Sequence, residues 1–241
     1  MENTGAPVYK SVLLKLSGEA LSKGSDGILN FEILTALARR IKECIGMGVS
    51  FGIVVGGGNI WRGRFGGGMD VVRSDHMGML ATAINALALQ DVLEAEGIET
   101  RVMTAVEMRQ FAEPYIRNKA KSHLKAGRVC IFGCGTGSPF FTTDTAAVLR
   151  AAEIGADVVL LAKNNTDAVY SADPNKFPDA KKLSDLKYSE VITNKNLGAL
   201  DSTAASFCMD NNIPIIVIGI DDPENIVRAV RGEKIGTSIR G

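Results

Sequence analysis

Small, polar and cationic residues follow four apolar segments of the chain. The first two segments end at Lys15–Gly18 (KLSG) and at Gly56–Asn59 (GGGN), and Arg62 comes shortly after the second. The other two lead into Gly133–Asp144 (GCGTGSPFFTTD) and Lys163–Asp167 (KNNTD). Glycines leave backbone N–H groups free to meet anionic oxygens, lysine supplies a point charge, and arginine supplies a planar fork that matches phosphate. The pattern predicts binding sites for phosphate groups.

The glycine run does not match the common nucleotide-binding motifs. The stretch Ile53–Gly63, IVVGGGNIWRG, lacks the Gly-Lys-Ser/Thr of a P-loop, and Trp61 stands where G-x-G-x-x-G needs its third glycine. Two glycine-rich loops on different strands instead favour two phosphate-bearing ligands that face one another. With two histidines and no evident nucleophile–base pair, hydrolysis through a covalent intermediate is poorly supported. Phosphoryl transfer needs positioning and charge neutralisation, and a phosphate acceptor needs no general base.

Composition limits the class of protein. The chain has 241 residues, 46% hydrophobic and 22% charged, with 27 basic and 27 acidic residues. Zero net charge argues against a nucleic-acid or membrane-surface role. No signal-like start and no apolar run of about 18 residues are present, so we expect a cytoplasmic protein. The four cysteines form no C-x-x-C pair, which makes a zinc site or a disulfide framework unexpected.

Hydrophobic periodicity predicts alternating strands and helices. Strands are expected at 11–16, 49–55, 101–103, 128–132, 157–161 and 213–218. Helices are expected at 31–46, 75–96, 114–124, 145–154, 201–210 and 222–231, the last with Asp222 as N-cap before Pro223. This alternation predicts a mainly parallel sheet with helices on both faces and ligands at the carboxyl ends of the strands. No linker divides residues 1–241, so one α/β domain with two lobes is favoured, and 171–184 is the most loop-like stretch.

Five segments occur in an order and spacing that resemble the bacterial uridylate kinases of the amino acid kinase superfamily. They are KLSGEAL (15–21), VVGGGNIWRG (54–63), DHMGMLAT (75–82), GTGSPFFTTDTAA (135–147) and VYSADP (169–174). The resemblance runs from about Tyr9 to the C-terminus, and KLSGEAL and GTGSPFFTTD are its most specific parts. It implies a three-layer α/β/α sandwich that transfers the γ-phosphate of ATP to UMP, giving UDP and ADP in pyrimidine nucleotide biosynthesis.

The resemblance also implies partners and regulation. Mg²⁺ would arrive with ATP, and the chain would form a homohexamer that GTP activates and UTP inhibits. Arg101 and Arg128 stand where effector-site arginines are found in this family.

The resemblance further implies a role for individual residues, with the acceptor site in the N-terminal part and the ATP site from about residue 145. Lys15, Arg62 and Asp144 would be catalytic, and Asp144 is the one side chain expected near the metal. The ATP site would comprise Lys15, Leu16, Ser17, Gly18, Gly58, Arg62, Asn164, Tyr170 and Asp173. The UMP site would comprise Gly57, Asp75, Thr136, Gly137, Ser138, Pro139, Phe140, Phe141, Thr142 and Thr143.

Some points stay open at the level of sequence. Asp75 either caps its helix or holds the acceptor ribose, and Lys163 is a candidate second phosphate-facing cation. The family's DGVY is Asp167–Tyr170 (DAVY) here, so Ala168 would cost about 1 kcal/mol if that position needs a positive φ. Two other functions compete: a kinase with a carboxylate or carbamate acceptor, and a non-catalytic nucleotide-binding storage or regulatory protein. The acceptor segment argues against the first, and intact Lys15, Arg62 and Asp144 argue against the second.

Overall fold

The computed structural model describes residues 6–63, 68–174, 176–194, 197–198 and 200–241. The strands are β1 Ser11–Leu16, β2 Ser50–Val55, β3 Thr100–Thr104, β4 Glu113–Pro114, β5 Val129–Gly133, β6 Val158–Lys163, β7 Val169–Tyr170, β8 Lys182–Leu183, β9 Asp185–Lys187, β10 Ile215–Gly219 and β11 Thr237–Arg240. The helices are α1 Phe31–Gly46, α2 Val71–Ala95, α3 Arg117–Lys125, α4 Thr143–Ile154, α5 Tyr188–Thr193, α6 Ser202–Asn211 and α7 Glu224–Val230, and a 3-10 turn spans Gly18–Ser22.

A single large sheet organises the part of the chain that the structure describes. Its strand order is β4-β3-β5-β2-β1-β6-β10-β11-β9, and β10–β11 is its one antiparallel pairing. The central strand β1 pairs with β2 on one side and β6 on the other. Strands covered on both faces read as continuous apolar runs, which is why the sequence of β1 shows no alternation. The carboxyl ends of β1, β2, β5 and β6 therefore meet at one edge.

Helices cover both faces of the sheet. Residues Leu14 and Ile53 pack into the core beneath α1, α2 and α7, whereas their neighbours Leu13 and Val54 pack into the core beneath α3, α4, α5 and α6. This arrangement confirms the predicted α/β/α sandwich with a mainly parallel sheet. Within the described ranges, no helix is both long enough and apolar enough to cross a membrane.

Helix α4 lies close against β2 because β2 carries a glycine in its interior. A Cβ atom at Gly52 would lie 2.8 Å from Ile154 Cδ1 and 2.9 Å from Phe132 Cε2. The missing side chain lets the C-terminal turn of α4 approach the sheet. This contact helps fix the axis of the helix whose first turn carries Asp144.

Five of the six predicted helices begin one to four residues away from their predicted starts, and the structure explains three of these differences. Helix α2 starts at Val71, where Asp70 accepts the Arg73 amide N–H at 3.0 Å, so the alternative that Asp75 caps this helix is wrong. Helix α3 starts at Arg117 because Pro114 pairs in β4. Helix α7 is assigned from Glu224, although Asp222 still accepts the Glu224 amide N–H at 3.0 Å.

The sequence-based assignment missed the shortest elements. Strands β4, β7, β8, β9 and β11 and helix α5 contain two to six residues each, too few to establish a period. The stretch predicted to be loop-like, 171–184, includes β8, which pairs antiparallel with β7. This hairpin holds Tyr170 beside the end of β6.

Candidate active site

A buried carboxylate between two lysines forms the centre of the site. Lys15 Nζ, from β1, lies 2.8 Å from Asp144 Oδ1, in the first turn of α4. Lys163 Nζ, at the end of β6, lies 4.0 Å from Asp144 Oδ2. The Lys15 and Asp144 side chains are 11% and 14% exposed, so the ion pair is largely shielded from water. The structure brings together Lys15 and Asp144, which the sequence predicts to be catalytic, and it places the candidate second cation Lys163 beside them.

The surroundings shift the pKa values of Asp144 and Lys163. Burial alone raises the pKa of the Asp144 carboxyl, but Lys15 and Lys163 outweigh it and hold that pKa below its ordinary value of 3.8. Burial lowers the pKa of the Lys163 ammonium below 10.5, with Asp144 opposing the shift and Lys15 adding to it. The cluster contains two lysines and one carboxylate, so it favours the approach of an anion.

The loops after β1 and β2 lie against one another. The Gly56 amide donates to the Leu16 carbonyl at 2.8 Å, and the side chain of Leu16 is fully buried in the core. Leu16 therefore offers no side chain to a nucleotide. Ser17 precedes the 3-10 turn without making a side-chain cap, and Gly18 packs against the Gly56–Gly58 backbone. Glycine backbones of two strand ends thus meet beside Lys15.

Arg62 pairs with a residue that the sequence analysis did not single out. Its guanidinium forms an ion pair with Glu19, which lies in the turn after Gly18. The Arg62 side chain is 53% exposed. The arginine is thereby held at the rim of the glycine loops, where an exposed ion pair contributes little stability and can exchange partners.

A cleft of about 770 Å³ opens beside these loops. Eight of the ten predicted UMP residues line it: Gly57, Asp75, Thr136, Ser138, Phe140, Phe141, Thr142 and Thr143. Gly137 and Pro139 belong to the same loop but do not line the cleft. Gly58, predicted for ATP, lines this cleft as well.

Asp75 and Asp201 fix the acceptor loop at its two ends. Asp75 Oδ2 accepts the Phe140 amide N–H at 2.7 Å, and Phe140 has a left-handed backbone with φ of 72°. This bond stabilises a conformation that costs a non-glycine residue about 1 kcal/mol or more. Asp201 caps α6 and accepts from the Thr142 hydroxyl at 2.5 Å, while Thr142 in turn caps α4. The chain directly before Asp144 is therefore held from two directions.

Further residues of the cleft were not predicted as site residues. Thr82 Oγ1 accepts the Cys134 amide N–H at 2.8 Å, and Cys134 has a φ of 63°. Trp61, the one tryptophan of the sequence, lines the cleft and donates its indole N–H to Ser74 Oγ at 3.1 Å. Thr82 was visible in the DHMGMLAT segment, but no local signal indicated its long-range partner.

A second cleft of about 290 Å³ lies at the end of β6. Lys163, Asn164, Tyr170 and Asp173 line it, which brings together the predicted adenosine residues beyond the charge cluster. Tyr170 donates its hydroxyl to Asp167 at 2.7 Å. Ala168 is buried and does not have a positive φ, so the conformational cost expected for replacing glycine does not arise.

Arg101 and Arg128 lie elsewhere. Arg101 is near the amino end of β3 and Arg128 directly precedes β5, so both lie at the edge opposite the site. Both guanidinium groups contact Glu99 Oε1, at 2.7 and 2.6 Å. Arg128 Nη1 also lies 3.3 Å from His123 Nδ1. The two arginines therefore lie close together, but neither of them lines either cleft.

The carboxylates of the site can be tested against Mg²⁺. Within the described ranges, no group of three or more His, Cys, Asp or Glu side chains is arranged to hold a metal ion. Asp144 is the acidic member of the charge cluster, and lysines flank both of its oxygens. Mg²⁺ in kinases is commonly bound by one or two carboxylates together with substrate phosphates. The residues fit an ion of that kind, with Asp144 as its protein carboxylate.

Comparison with known proteins gives the class. The sequence model of the amino acid kinase family matches residues 10–219. The chain belongs to the amino acid kinase family.

Solved structures narrow the similarity to one group within that family. The UMP kinase of Bacillus anthracis is 40% identical, covers 96% of both chains and has a TM-score of 0.92. The UMP kinase of Ureaplasma parvum is 34% identical over 96% of this chain and 99% of its own, with a TM-score of 0.90. The uridylate kinase of Archaeoglobus fulgidus is 31% identical over 95% of this chain and 99% of its own, with a TM-score of 0.73. The resemblance seen in the sequence motifs is confirmed.

The charge cluster predicts that Lys163 lowers the stability of the fold. Its folded pKa lies below 10.5, so the unfolded chain binds more protons between the two values, and wild-type stability rises as the pH rises toward 10.5. We expect Lys163→Met to have a higher melting temperature than the wild type at about pH 7. The stability of the variant should also increase less than that of the wild type as the pH rises toward about 10. Thermal unfolding followed by circular dichroism measures both effects. The exposed Lys121→Met is the control, and a lower melting temperature for Lys163→Met contradicts the prediction.

Proposed function

We propose that the chain is a UMP kinase that transfers the γ-phosphate of ATP to UMP and releases UDP and ADP. The observation that carries the proposal is the position of the Lys15–Asp144–Lys163 cluster between two clefts. Asp144 directly follows Thr143 of the larger cleft, and Lys163 lines the smaller one. Two ligands whose phosphates meet at this cluster would be aligned for direct transfer.

The larger cleft takes the acceptor, UMP. Asp75, which already accepts a backbone N–H, offers its carboxylate to the ribose hydroxyls, and the Thr136–Thr143 loop surrounds the base and phosphate. Gly57 allows the acceptor phosphate close to the backbone. The N-terminal part of a single domain would then carry the acceptor site.

The smaller cleft takes the adenosine of ATP. Asn164, Tyr170 and Asp173 line it, and they belong to the part of the chain after about residue 145. The triphosphate would run from there past Lys163 toward the Ser17, Gly18 and Gly58 backbone. Glycine N–H groups and the two lysines suit an oligophosphate.

The transfer step depends on charge neutralisation. Lys15 stabilises the negative charge of the transferred phosphoryl group, and Asp144 holds Lys15 in place at 2.8 Å. Lys163 is the second phosphate-facing cation. Arg62 leaves Glu19 and forms bidentate contacts between the two nucleotides. The acceptor phosphate is already anionic, so no side chain has to remove a proton from it. Mg²⁺ bound to ATP, with Asp144 as its protein carboxylate, would neutralise further phosphate charge.

Self-association and regulation are part of the proposal. Met77, Leu80 and Ile84 of α2 lie on one helix face and are 37%, 53% and 46% exposed, which is unusual for neighbouring large apolar side chains. We assign this face to contacts between copies of the chain in a homohexamer. The paired Arg101 and Arg128 support a second nucleotide site through which GTP activates and UTP inhibits.

The cellular setting follows from the chemistry. All four cysteines are buried free thiols, which suits a reducing compartment such as the cytoplasm. Phosphorylation of UMP places the enzyme in pyrimidine nucleotide biosynthesis.

A coupled assay tests the activity. ADP release from Mg-ATP should require UMP, with little turnover on CMP, acetylglutamate or carbamate. Absence of turnover with UMP would overturn the proposal. Turnover on a carboxylate or carbamate would indicate the other kinase class, and tight ATP binding without turnover would indicate a storage or regulatory protein.

Two substitutions test the assigned roles. We expect Lys15→Ala and Asp144→Asn each to lower kcat by about 100- to 1,000-fold, the range seen when one charge-stabilising group is removed. The KM for UMP should change much less, because neither residue lines the acceptor cleft. Steady-state kinetics provide both parameters, and Lys121→Met serves as the control. Near-normal kcat in either variant means that the role is wrongly assigned.

The apolar face of α2 predicts a smaller particle when it is charged. Leu80→Lys buries an ammonium group against a second copy, so we expect the hexamer to dissociate. Sedimentation velocity measures the size. Met209→Lys changes an apolar residue on α6 that is 41% exposed and should leave the hexamer intact. A wild-type monomer, or a Leu80→Lys hexamer, contradicts the assignment of this face.

A further inference from the structure

A buried pair of side-chain amides lies beneath the glycine loop. Asn85 is fully buried in the middle of α2, among alanine and leucine neighbours. Its partner is Asn59, the residue that follows Gly56–Gly58. Asn85 Nδ2 donates to Asn59 Oδ1 at 2.7 Å, and Asn59 Nδ2 donates to Asn85 Oδ1 at 3.0 Å. The two amides therefore form a reciprocal, doubly hydrogen-bonded pair.

The remaining amide hydrogens of this pair bind two backbone carbonyls. Asn85 Nδ2 also donates to the Gly56 carbonyl at 2.7 Å, and Asn59 Nδ2 also donates to the Ile28 carbonyl at 2.6 Å. An amide group has two N–H donors, so all four donors of the pair are used. Neither side chain keeps a donor for a nucleotide. The pair therefore acts on the surrounding chain and not on a ligand directly.

One of the two carbonyls that the pair binds, that of Gly56, belongs to a nucleotide-facing loop. Gly56 starts the glycine run, and its amide bonds the end of β1. A Cβ atom at Gly18 would lie 2.7 Å from Asn59 Oδ1 and 2.7 Å from the Gly58 amide nitrogen, so the loop after β1 rests on this same pair. Helix α2 carries Asp75 of the acceptor cleft. The amide pair thus connects both glycine loops to the helix of the acceptor site.

We propose that the Asn59–Asn85 pair is a positioning device that sets Gly57 and Gly58 at a fixed place relative to α2, and so aligns the two nucleotides for transfer. The inference rests on the proposed kinase function. A purely structural pair would affect stability alone. A positioning pair affects kcat beyond its effect on stability, because misalignment of reacting groups by about 1 Å can cost about 100-fold in rate.

The test compares Asn85→Leu with Leu93→Ala. Leucine has the same branching and the same number of side-chain heavy atoms as asparagine but makes no hydrogen bonds. The Gly56 carbonyl, one Asn59 Nδ2 donor and the Asn59 Oδ1 acceptor therefore lose Asn85 as their partner. Leu93 is fully buried eight residues further along α2, so its truncation lowers stability through lost core packing and serves as the control. At temperatures well below both melting points, we expect Asn85→Leu to lower kcat by about 10- to 100-fold. Leu93→Ala should keep wild-type kcat.

A second readout does not depend on catalysis. Hydrogen–deuterium exchange of the peptide over residues 53–60 should be faster in Asn85→Leu than in Leu93→Ala. If the wild-type chain fails to phosphorylate UMP, the kinase proposal fails, while the exchange measurement still tests the amide pair. Equal exchange in the two variants, or a kcat for Asn85→Leu as high as that of Leu93→Ala, would overturn the inference.

Asn59→Ala keeps the test independent of the folding of Asn85→Leu. Residues that act as a unit give non-additive effects. We expect the double variant Asn59→Ala/Asn85→Leu to lose about as much kcat as either single variant, Asn59→Ala or Asn85→Leu. Additive losses would mean that the two amides act separately, and would also overturn the inference.

Discussion

The ion cluster of Lys15, Asp144 and Lys163 is the interaction around which the site is arranged. A buried lysine without a partner is costly, and two side by side repel each other. Asp144 relieves both costs at once, and it can do so because α4 begins where β1 and β6 end. One carboxylate does not neutralise two lysines completely. The positive charge that remains makes this buried spot suitable for phosphate.

The geometry of a parallel sheet brings the components together. Strands β1 and β6 are neighbours in the sheet although they are far apart along the chain, and parallel pairing aligns their carboxyl ends. Helix α4 can approach because Gly52 of β2 leaves room for its last turn. Asp201 then holds Thr142 from α6. Residues from four distant parts of the chain therefore determine the position of a single carboxylate.

Much of this could be predicted from sequence because the central strands are unusually apolar. Continuous runs at β1, β2, β5 and β6 identified the sheet, and the polar residues that end them identified the edge where the site lies. The family motifs then indicated individual residues such as Asp75 and Asp144. The assignment of the two-residue strands failed because such elements are created by pairing and not by local preference.

Polar contacts between distant segments of the chain also could not be predicted from the sequence. Nothing near Arg62 indicates that Glu19 is its partner, and nothing near Asn85 explains an amide within an apolar helix. For Ala168 the family resemblance raised the question of a positive φ, and this chain does not adopt one there. Sequence patterns predict where polar groups gather, whereas hydrogen-bond partners depend on the packed fold.

Trp61 gives this protein a built-in optical probe. It is the one tryptophan in the sequence, and it lies in the wall of the larger cleft with its indole N–H bound to Ser74. Emission excited at the red edge of the indole band therefore comes from a single known position. A ligand that enters this cleft changes the polarity around that ring, whereas one that enters the cleft lined by Tyr170 does not contact it. The two clefts can thus be distinguished by the fluorescence of the unlabelled chain.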